Sequence, residues 1–422
     1  MTDSTQQVDY EASLRRGATA EFGPVTDWFT DFDILDPDYI VHPERRWAEQ
    51  RDGCPIAFTE RRQRTWLPVR YDDISAIAHD VDRFSSRDIA VVSPFDVPIN
   101  DVFPVPPISS DRPLHTWARR LLLPAFGPTA IETMTPITRG LAEELIEEHF
   151  ADGRGDIAGD YARHIPVRII AQMLGIPLAD EAKFTGWVVK TLQEGFQNLD
   201  GAMDVLGEMT MYFAAKVAER RAMAPGDRPD DMLTMLIEAE TEEPMSDAHL
   251  LGTCFLLLIA GIDTTWSAIG SSLWHLAANP EDQRRLRDQP SLIPIAVEEF
   301  LRVYSPVTMA RYVTEDTEFN GCPMREGDKI LMAFPAGNHD PDQFEDADQV
   351  MIDRAKNRHF AFGAGIHRCL GSNLARMEIK VAIETFLEKV PFFELTDPEV
   401  VTWNGGQVRG PRYIPIQPAT DA

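Results

Sequence analysis

The chain has 422 residues, enough for a large hydrophobic core, and 44% are hydrophobic and 26% charged, as is typical of a globular protein. Its formal net charge of −28 at pH 7 argues against binding to nucleic acid or to anionic membrane surfaces. The four cysteines (Cys54, Cys254, Cys322 and Cys369) have no paired spacing, which favours a reducing compartment over a disulfide scaffold.

The N-terminal segment, residues 1–23, is polar and charged and lacks the apolar stretch of a signal peptide or an anchor helix. We expect it to form a mobile acidic leader. The longest apolar run, residues 255–262, is too short to span a bilayer. These features predict a cytoplasmic protein without a membrane partner.

The first predicted elements are short. Residues 42–50 and 72–79 have helical patterns, and between them residues 56–58 and 65–69 predict two strands joined by a charged turn. The proline-rich segment 85–113 follows, and its part from 92 to 107 has no stable period. A long irregular segment inside a compact domain is usually functional.

Helical patterns dominate the middle of the chain, with breaks at residues 153–155, 175–177 and 224–229. The longest pattern runs over residues 246–278, starts with Ser246 and ends before Pro280. It is apolar on most faces, so this helix is expected to cross the core.

A polar cluster, residues 260–265, interrupts this apolar helix. A buried carboxylate such as Asp263 is costly unless it is paired or has a function. Gly261 would let the helix approach a flat cofactor, and Thr264 would bond back to the carbonyl of Ala260 and widen the helix. The alternative is a threonine satisfied by the preceding turn, with Asp263 facing a distant arginine.

Two further motifs lie downstream. Glu299 and Arg302 are three residues apart and therefore share a helix face, although this spacing alone also arises from surface salt bridges. The second motif is a glycine-rich loop with the pattern Phe-x-x-Gly-x-x-x-Cys-x-Gly. Its residues are Phe362, Gly363, Gly365, His367, Cys369 and Gly371.

This loop is suited to presenting one thiolate to a haem iron. Its glycines allow a tight turn against a flat ring, and Cys369 precedes a helical stretch whose N-terminus favours a negative sulfur. Backbone N–H groups of Leu370 and Gly371 would hydrogen-bond that sulfur. The alternative is an ordinary loop with a buried cysteine.

With these motifs the chain resembles the cytochrome P-450 family, the haem-thiolate monooxygenases, from about residue 72 to the C-terminus. It is most similar to soluble bacterial members, and also to the haem domains of self-sufficient forms, although it ends where a fused reductase would begin. The resemblance implies a mainly α fold with small β-sheets. Residues 24–422 would form one domain, with haem between the long helix and the cysteine loop.

The resemblance also implies roles for individual residues. Cys369 would be the axial ligand of haem b, and Asp263 and Thr264 would form the acid–alcohol pair that delivers protons. Glu299, Arg302 and Arg354 would form a structural trio behind the haem. The propionates would be bound by His115, Arg119, Arg311 and His367. The residues expected to surround the haem are Ala260, Gly261, Phe362, Gly363, Gly365 and Gly371.

For the substrate, the family positions indicate a mostly apolar pocket and hence a compact hydrophobic or aromatic molecule. The pocket candidates are Val92, Phe95, Leu257, Val307, Met309 and Val408. Electrons would come from NAD(P)H through a ferredoxin reductase and an acidic [2Fe-2S]-type ferredoxin. Between residues 354 and 380, six basic residues stand against one acidic residue, which predicts a basic docking face.

Two alternatives remain at this stage. One is a haem-thiolate protein that binds or senses a ligand without turnover, against which the Asp263–Thr264 pair argues. The other is a cysteine-nucleophile enzyme that uses His367 and Cys369, but residues two apart in a tight loop have poor geometry for that chemistry.

Overall fold

The computed structural model describes residues 22–61, 63–92, 98–194, 199–239 and 245–419. About 55% of the structure is helical, and four small sheets accompany the helices, which confirms the predicted mainly α fold. Residues 1–21 lie outside the described residues, so the mobile acidic leader stays a prediction.

The helices fall into two groups, short ones near the N-terminus and long ones that build the core. They are α1 (Pro37–Val41), α2 (Pro43–Asp52), α3 (Tyr71–His79), α4 (Ile99–Val102), α5 (Leu114–Leu122), α6 (Pro128–Glu132), α7 (Thr135–His149), α8 (His164–Met173), α9 (Glu181–Val188), α10 (Leu199–Ala222), α11 (Met232–Ile237), α12 (Asp247–Ala278), α13 (Pro280–Asp288), α14 (Ile293–Val303), α15 (Phe334–Asn338) and α16 (Ser372–Lys389). Two π-helical segments, Ile157–Ala162 and Val189–Gln193, lie between the longer helices.

The strands are short. They are β1 (Ile56–Thr59), β2 (Thr65–Pro68), β3 (Phe84–Ser85), β4 (Gly155–Asp156), β5 (Met309–Val313), β6 (Thr317–Phe319), β7 (Cys322–Met324), β8 (Lys329–Met332), β9 (Phe393–Leu395), β10 (Thr402–Asn404), β11 (Gly410–Tyr413) and β12 (Pro415–Pro418).

One five-stranded sheet has the order β1-β2-β8-β5-β3, in which only β2 and β8 are parallel. The others are β4-β12-β9 and the hairpins β6–β7 and β10–β11. The five-stranded sheet and the helices around it form two of the four hydrophobic clusters. Strand β5 continues from the end of α14, so the sheet and the helical core meet near residue 309.

The predicted element positions agree with the structure to within about two residues. The early helices correspond to α2 and α3, and the two strands to β1 and β2. The predicted breaks separate α7 from α8, α8 from α9, and α10 from α11. Gly153 and Gly175 adopt φ values of 76° and 67°, a conformation that glycine tolerates best.

Helix α12 is the central element and contributes to both large helical clusters. The Ser246 side chain accepts a hydrogen bond from the N–H of His249, which caps the start as predicted, and Asn279 and Pro280 end the helix. By length and composition α12 is apolar enough to cross a membrane, but 56% of its most apolar window is buried. It therefore packs as a core helix.

The proline-rich segment crosses close to α12. A Cβ atom on Gly252 would lie 2.0 Å from the carbonyl oxygen of Pro104, so only glycine permits this approach. The segment includes the short helix α4 and is therefore not wholly irregular. Residues 93–97 lie outside the described residues, so the assignment of Phe95 to the pocket stays a prediction.

Candidate functional site

A cavity of about 420 Å³ separates the middle of α12 from the loop that precedes α16. Ala260, Gly261 and Thr264 are accessible and line this cavity, whereas their neighbours Ile259 and Ile262 are buried. A core helix with accessible residues at its centre must face an internal space. The polar cluster predicted from sequence therefore lies at the wall of a cavity.

Cys369 faces the same cavity from the opposite wall. Its thiol is free, and its accessible surface opens to the cavity although the residue lies deep in the protein. The N–H of Cys369 donates to the carbonyl of Phe362 over 2.7 Å, which closes the loop. Burial raises the pKa of the thiol, while the N–H of Gly371 and the charges of Arg119, Arg368 and Arg376 oppose the rise.

The loop glycines have different roles. Gly363 has a φ of 67° and lines the cavity, as predicted for a turn against a flat ring. Gly365 has a φ of 66° but does not line it, and a Cβ there would lie 2.2 Å from the carbonyl oxygen of Ala78. The role of Gly365 at the haem therefore stays a prediction, and its small size also serves packing against α3.

Gly261 lies between the cavity and a neighbouring helix. It lines the cavity, but a Cβ at this position would lie 2.6 Å from Cδ1 of Ile170 on α8. The missing side chain at Gly261 therefore permits close packing of two core helices. Ala260, one residue earlier, is the more accessible residue and presents only a methyl group to the cavity.

Cationic and imidazole groups gather at one end of the cavity. Arg119, Arg311 and His367 line it, and the ring of His115 lies behind, 4.3 Å from the ring of His367. Among the described residues neither arginine forms an ion pair, and the buried Nε2 of His367 has no hydrogen-bond partner. Burial lowers the pKa of Arg311 to about 10.

Positive charge without an ion-pair partner among the described residues is the main electrostatic feature of this end. Burial, followed by the charges of Arg311, His115 and Arg119, lowers the pKa of His367 to about 2. An anionic group in the cavity would relieve this repulsion and satisfy the orphaned imidazole nitrogen. Haem propionates carry that charge, so the donor set fits the predicted cofactor.

The side chains of Thr264 and Asp263 lie in different surroundings. The Thr264 hydroxyl donates to the carbonyl of Ala260 over 2.8 Å, as predicted, but α12 stays α-helical there and shows no π-helical widening. Asp263 is fully buried and does not line the cavity. Its Oδ1 accepts from Nη2 of Arg412 at 2.9 Å and from Nε2 of Gln193 at 3.1 Å.

The Glu299 trio forms as predicted. Arg302 donates Nη2 to Oε1 of Glu299 over 2.7 Å and Nε to Oε2 over 2.9 Å, and both side chains have no exposed surface. Nε of Arg354 lies 3.0 Å from Glu299 Oε2, and the N–H of Met351 and the amide of Asn357 add further bonds. Burial raises the pKa of Glu299, but these donors outweigh it and hold the pKa below its usual value.

The trio also reaches the cysteine loop. Arg302 donates to the carbonyl of Asn338 over 2.8 Å, and the side-chain oxygen of Asn338 accepts from the N–H of Phe360 over 2.6 Å. Next to it, Glu298 binds Arg376, whose guanidinium lies 4.3 Å above the ring of Phe362. The ion pairs of Glu299 and Glu298 therefore both stabilise the segment that carries the cysteine loop.

The described pocket candidates all lie in the cavity wall. Val92, Leu257, Val307, Met309 and Val408 line it, and Val307 and Val408 form an isolated antiparallel bridge. Most other lining residues are aliphatic or aromatic. Gln407 and Thr191 are among the few uncharged polar side chains, and Gln407 is tied to the carbonyl of Ile89.

The predicted basic face is smaller than the sequence count indicates. Arg354 and Arg376 are engaged with Glu299 and Glu298, and Lys380 lies 3.6 Å from Glu384. The exposed cations of this segment are Lys356, Arg358 and Arg368. Glu378, the one acidic residue, is fully buried with both oxygens unpartnered among the described residues, and burial raises its pKa well above the usual value.

The partners in three functional contacts were not identified from the sequence, although one alternative placed Thr264 against the preceding turn and Asp263 opposite a distant arginine, as the structure shows. Gln193 and Arg412 hold Asp263, and Asn357 completes the shell of Glu299. Arg412 belongs to the C-terminal segment that carries the family resemblance, but nothing in its spacing relates it to Asp263. The partners are far apart in sequence, so only the fold reveals them.

A second depression, of about 600 Å³, is open to solvent near the end of α3. It is lined by His79, Asp80, Asp111 and Arg112, among others. Its groups are engaged locally, since Asp80 binds Arg83 and Asp111 binds Ser85 and Ser86. The cavity beside Cys369 is therefore the candidate site.

Comparison with known proteins agrees with this geometry. The family model described as Cytochrome P450 matches residues 181–290 and 291–405. Mycinamicin IV hydroxylase/epoxidase of Micromonospora griseorubida is 33% identical over 381 residues, which cover 88% of this chain and 94% of that protein. The polyketide biosynthesis cytochrome P450 PksS of Bacillus subtilis is 32% identical over 83% of this chain and 88% of its own length.

Solved structures give the same result. The structure of PksS superposes with a TM-score of 0.83 at 31% identity and covers 92% of this chain and all of that chain. CYP109E1 of Bacillus megaterium, solved in complex with testosterone, has a TM-score of 0.80 at 28% identity and covers 89% of this chain and 97% of that chain.

Proposed function

The chain belongs to the cytochrome P450 family and is a haem-thiolate monooxygenase, and from this premise we propose that it inserts one oxygen atom from O2 into a hydrophobic small molecule, by hydroxylation or O-dealkylation. The family uses haem b and O2, with electrons from NAD(P)H delivered by redox partners. The observation that carries the proposal is the free thiol of Cys369 on one cavity wall and the hydroxyl of Thr264 on the other.

The residues around the cavity have complementary roles toward the haem, which supplies the oxygen-activating redox chemistry when bound. Cys369 would ligate the iron, and the N–H of Gly371 would hydrogen-bond its sulfur. Arg119, Arg311 and His367 would bind the propionates, with His115 supporting His367. Phe362, Gly363 and Ala260 would border the ring.

Thr264 and Asp263 would move protons. The Thr264 hydroxyl is accessible at the cavity wall and can hold a water there, whereas Asp263 lies behind it without access to the cavity. We assign to Asp263 the transfer of protons from solvent to the Thr264 side. Because Asp263 is engaged with Arg412 and Gln193, that transfer requires its carboxyl group to leave these donors.

The substrate is proposed from the chemistry of the wall. Apolar side chains dominate the cavity, and burial of apolar surface would drive binding of a neutral hydrophobic molecule. One relative is named for the hydroxylation and epoxidation of mycinamicin IV, another for polyketide biosynthesis, and a third was solved with testosterone. These names support apolar natural products as the first compounds to test.

Electron delivery and location are also proposals. An acidic [2Fe-2S]-type ferredoxin, reduced by its reductase, would dock on the face that carries Lys356, Arg358 and Arg368. All four cysteines are free, which supports a cytoplasmic location. Residues 24–422 would act as one haem domain.

The decisive test begins with the carbon monoxide spectrum of the reduced holoprotein. Wild type should give the strongly red-shifted Soret band of thiolate ligation, and Cys369→Ser should lose it. Cys54→Ser, an exposed cysteine with a free thiol, should keep it. If wild type itself lacks the band when fully loaded with haem, the assignment of Cys369 is wrong.

An assay for turnover distinguishes a monooxygenase from a ligand-binding sensor. Apolar compounds that shift the haem from low to high spin should be supplied with NAD(P)H, ferredoxin reductase and ferredoxin. A product that contains one oxygen atom from labelled O2 supports the proposal. Tight binding of many such compounds without any oxygenated product would favour the sensor.

A further inference from the structure

The most unusual polar contact of the described structure is the one made by Asp263. The side chain has no exposed surface, and both of its donors, Arg412 and Gln193, converge on a single oxygen, Oδ1. Oδ2 is buried and has no partner among the described residues. Oδ2 therefore remains a hydrogen-bond acceptor without a donor. In a purely structural ion pair, both oxygens of a buried carboxylate would normally be bound.

Arg412 packs against α12. Its Nη1 donates to the hydroxyl of Ser267 over 3.0 Å, and its guanidinium lies 4.4 Å above the ring of Trp266. Strand β11 packs directly on the helix here, because a Cβ on Gly410 would lie 2.4 Å from Ser267. The position of the charge that faces Asp263 therefore depends on how residues 410–412 pack against α12.

The same hairpin forms part of the cavity wall. Gln407 and Val408, in the connection between β10 and β11, line the cavity, and Val408 bridges to Val307. Arg412 follows Val408 by four residues on the same segment. Residues 407–412 thus connect the wall that a substrate would touch with the donor that binds Asp263.

We propose that Arg412 is a positioning residue of the proton relay, which holds Oδ1 of Asp263 and couples this acid to the substrate cavity through residues 407–412. This inference rests on the proposed monooxygenase function. It deepens that function by assigning to a C-terminal hairpin the control of an acid on the central helix. A substrate that displaces the hairpin tip would move the donor and release the carboxyl group.

Electrostatics are consistent with this role. Burial raises the pKa of Asp263, and the charge of Arg412 and the hydrogen bond from Gln193 oppose the rise. Burial raises the pKa of Tyr413, which follows Arg412, and the charges of Asp156 and Asp160 add to the rise. Burial also raises the pKa of Asp156 to about 6, so its titration must be separated from that of Asp263.

The test compares Arg412→Gln with Arg412→Lys in the ferric holoprotein. The matched control is Arg409→Gln, a buried arginine of the same hairpin that binds the carbonyls of Ile40 and Val41 instead of Asp263. Infrared difference spectra recorded in pH steps report the C=O stretch of protonated carboxyl groups. The double variant Asp263→Asn/Arg412→Gln identifies the signal of Asp263 and distinguishes it from that of Asp156.

Arg412→Gln is expected to raise the midpoint of the Asp263 signal by about one to three pH units, because an opposite charge is lost from a buried carboxylate. Arg412→Lys should largely restore the wild-type midpoint, and Arg409→Gln should leave the midpoint unchanged. With redox partners, the pH profile of product formed per NAD(P)H should move in the same direction. A substrate that raises spin state should shift the midpoint in wild type and not in Arg412→Gln.

An unchanged Asp263 signal in Arg412→Gln, or an equal shift in Arg409→Gln, would overturn the inference. If Arg412→Gln does not fold, Ser267→Ala removes the hydrogen bond that places Arg412 on α12, and an unmoved Asp263 signal in that variant counts equally against the inference. Failure of the proposed function is recognised separately. In that case wild type would lack the thiolate spectrum or oxygenated product, whereas the infrared signal would still report the ion pair.

Discussion

Glu299 and Arg302 form a bidentate ion pair with no exposed surface on either side chain, joined by bonds of 2.7 and 2.9 Å. The pair is completed by Arg354 and is tied through Asn338 to Phe360, two residues before the cysteine loop. A buried pair of this kind contributes little net stability by itself, but loss of one partner leaves an uncompensated charge.

Glu299→Gln is therefore expected to lower the free energy of unfolding by about 3–5 kcal/mol, because two buried guanidinium groups lose their counter-charge. The variant should also lose haem. Denaturant unfolding and haem content measure both effects. The control is Glu298→Gln, whose side chain is 29% exposed, with an expected cost of about 1 kcal/mol. Equal losses in the two variants would contradict the special role of Glu299.

Thr264→Ala should keep haem and substrate binding but divert most reducing equivalents into hydrogen peroxide, because the hydroxyl at the cavity wall is lost. Peroxide and product are measured per NAD(P)H consumed. Ser272→Ala is the matched control, since Ser272 makes the same bond to the carbonyl four residues earlier, at 2.7 Å, without lining the cavity. Unchanged coupling in Thr264→Ala would refute the proton-relay role.

Arg119→Gln should weaken haem retention about tenfold to a hundredfold, because a charge-assisted bond to a propionate contributes about 1.5–3 kcal/mol. The rate of haem transfer to an excess of an acceptor apoprotein measures this. Arg120→Gln changes the exposed neighbour, which does not line the cavity, and should have no effect. Similar haem loss in both variants would argue against a propionate contact at Arg119.

Arg368→Glu should raise the ferredoxin concentration needed for half-maximal reduction, and the effect should shrink as ionic strength rises. Stopped-flow reduction at several salt concentrations measures it. Lys183→Glu, an exposed lysine on α9 outside the basic face, serves as the control. A salt-independent effect, or none, would place the docking surface elsewhere.

Asp156 gives a pH-dependent prediction. Burial raises the pKa of its carboxyl from 3.8 to about 6, although the N–H of Ile414 and nearby backbone donors oppose the rise. The folded state therefore binds a proton that the unfolded chain has released, so the stability contributed by this group is present below about pH 4 and is lost as pH rises through about 6.

Asp156→Asn should remove this dependence, so that its free energy of unfolding relative to wild type increases by roughly 2–3 kcal/mol between pH 4 and pH 7. Urea unfolding at several pH values measures the difference. Asp152→Asn, the same substitution on an exposed turn, is the control, and Asp156→Asn should show the larger change with pH. A difference for Asp156→Asn that is constant with pH would contradict the raised pKa of its carboxyl group.

Local motifs made much of the site predictable. The loop around Cys369, the Thr264 bond to Ala260 and the Glu299–Arg302 pair each lie within one short stretch, where helical or turn geometry fixes which side chains meet. The boundaries of α12 followed from its cap and from Pro280 in the same way. Such signals are carried by spacings of two to four residues.

Other features depended on contacts between distant segments. The backbone of Ala78 occupies the space beside Gly365, and Gly261 faces Ile170, so both glycines serve packing contacts that the sequence did not predict. Arg354 was predicted to join the buried trio and does so, but Arg376, counted among the docking charges, is engaged with Glu298. Nothing in the sequence near Arg376 indicated this partner.

The amino-acid order by itself determined a haem-thiolate fold, its ligand cysteine and the helix opposite, because these depend on local geometry and on a strongly patterned motif. Only the tertiary structure decided that Asp263 would face Arg412, 149 residues away, and that a C-terminal hairpin would border both the cavity and this acid. The physical reason is that a buried charge selects its partner by packing, and packing joins segments whose separation in the chain carries no information about their distance in space.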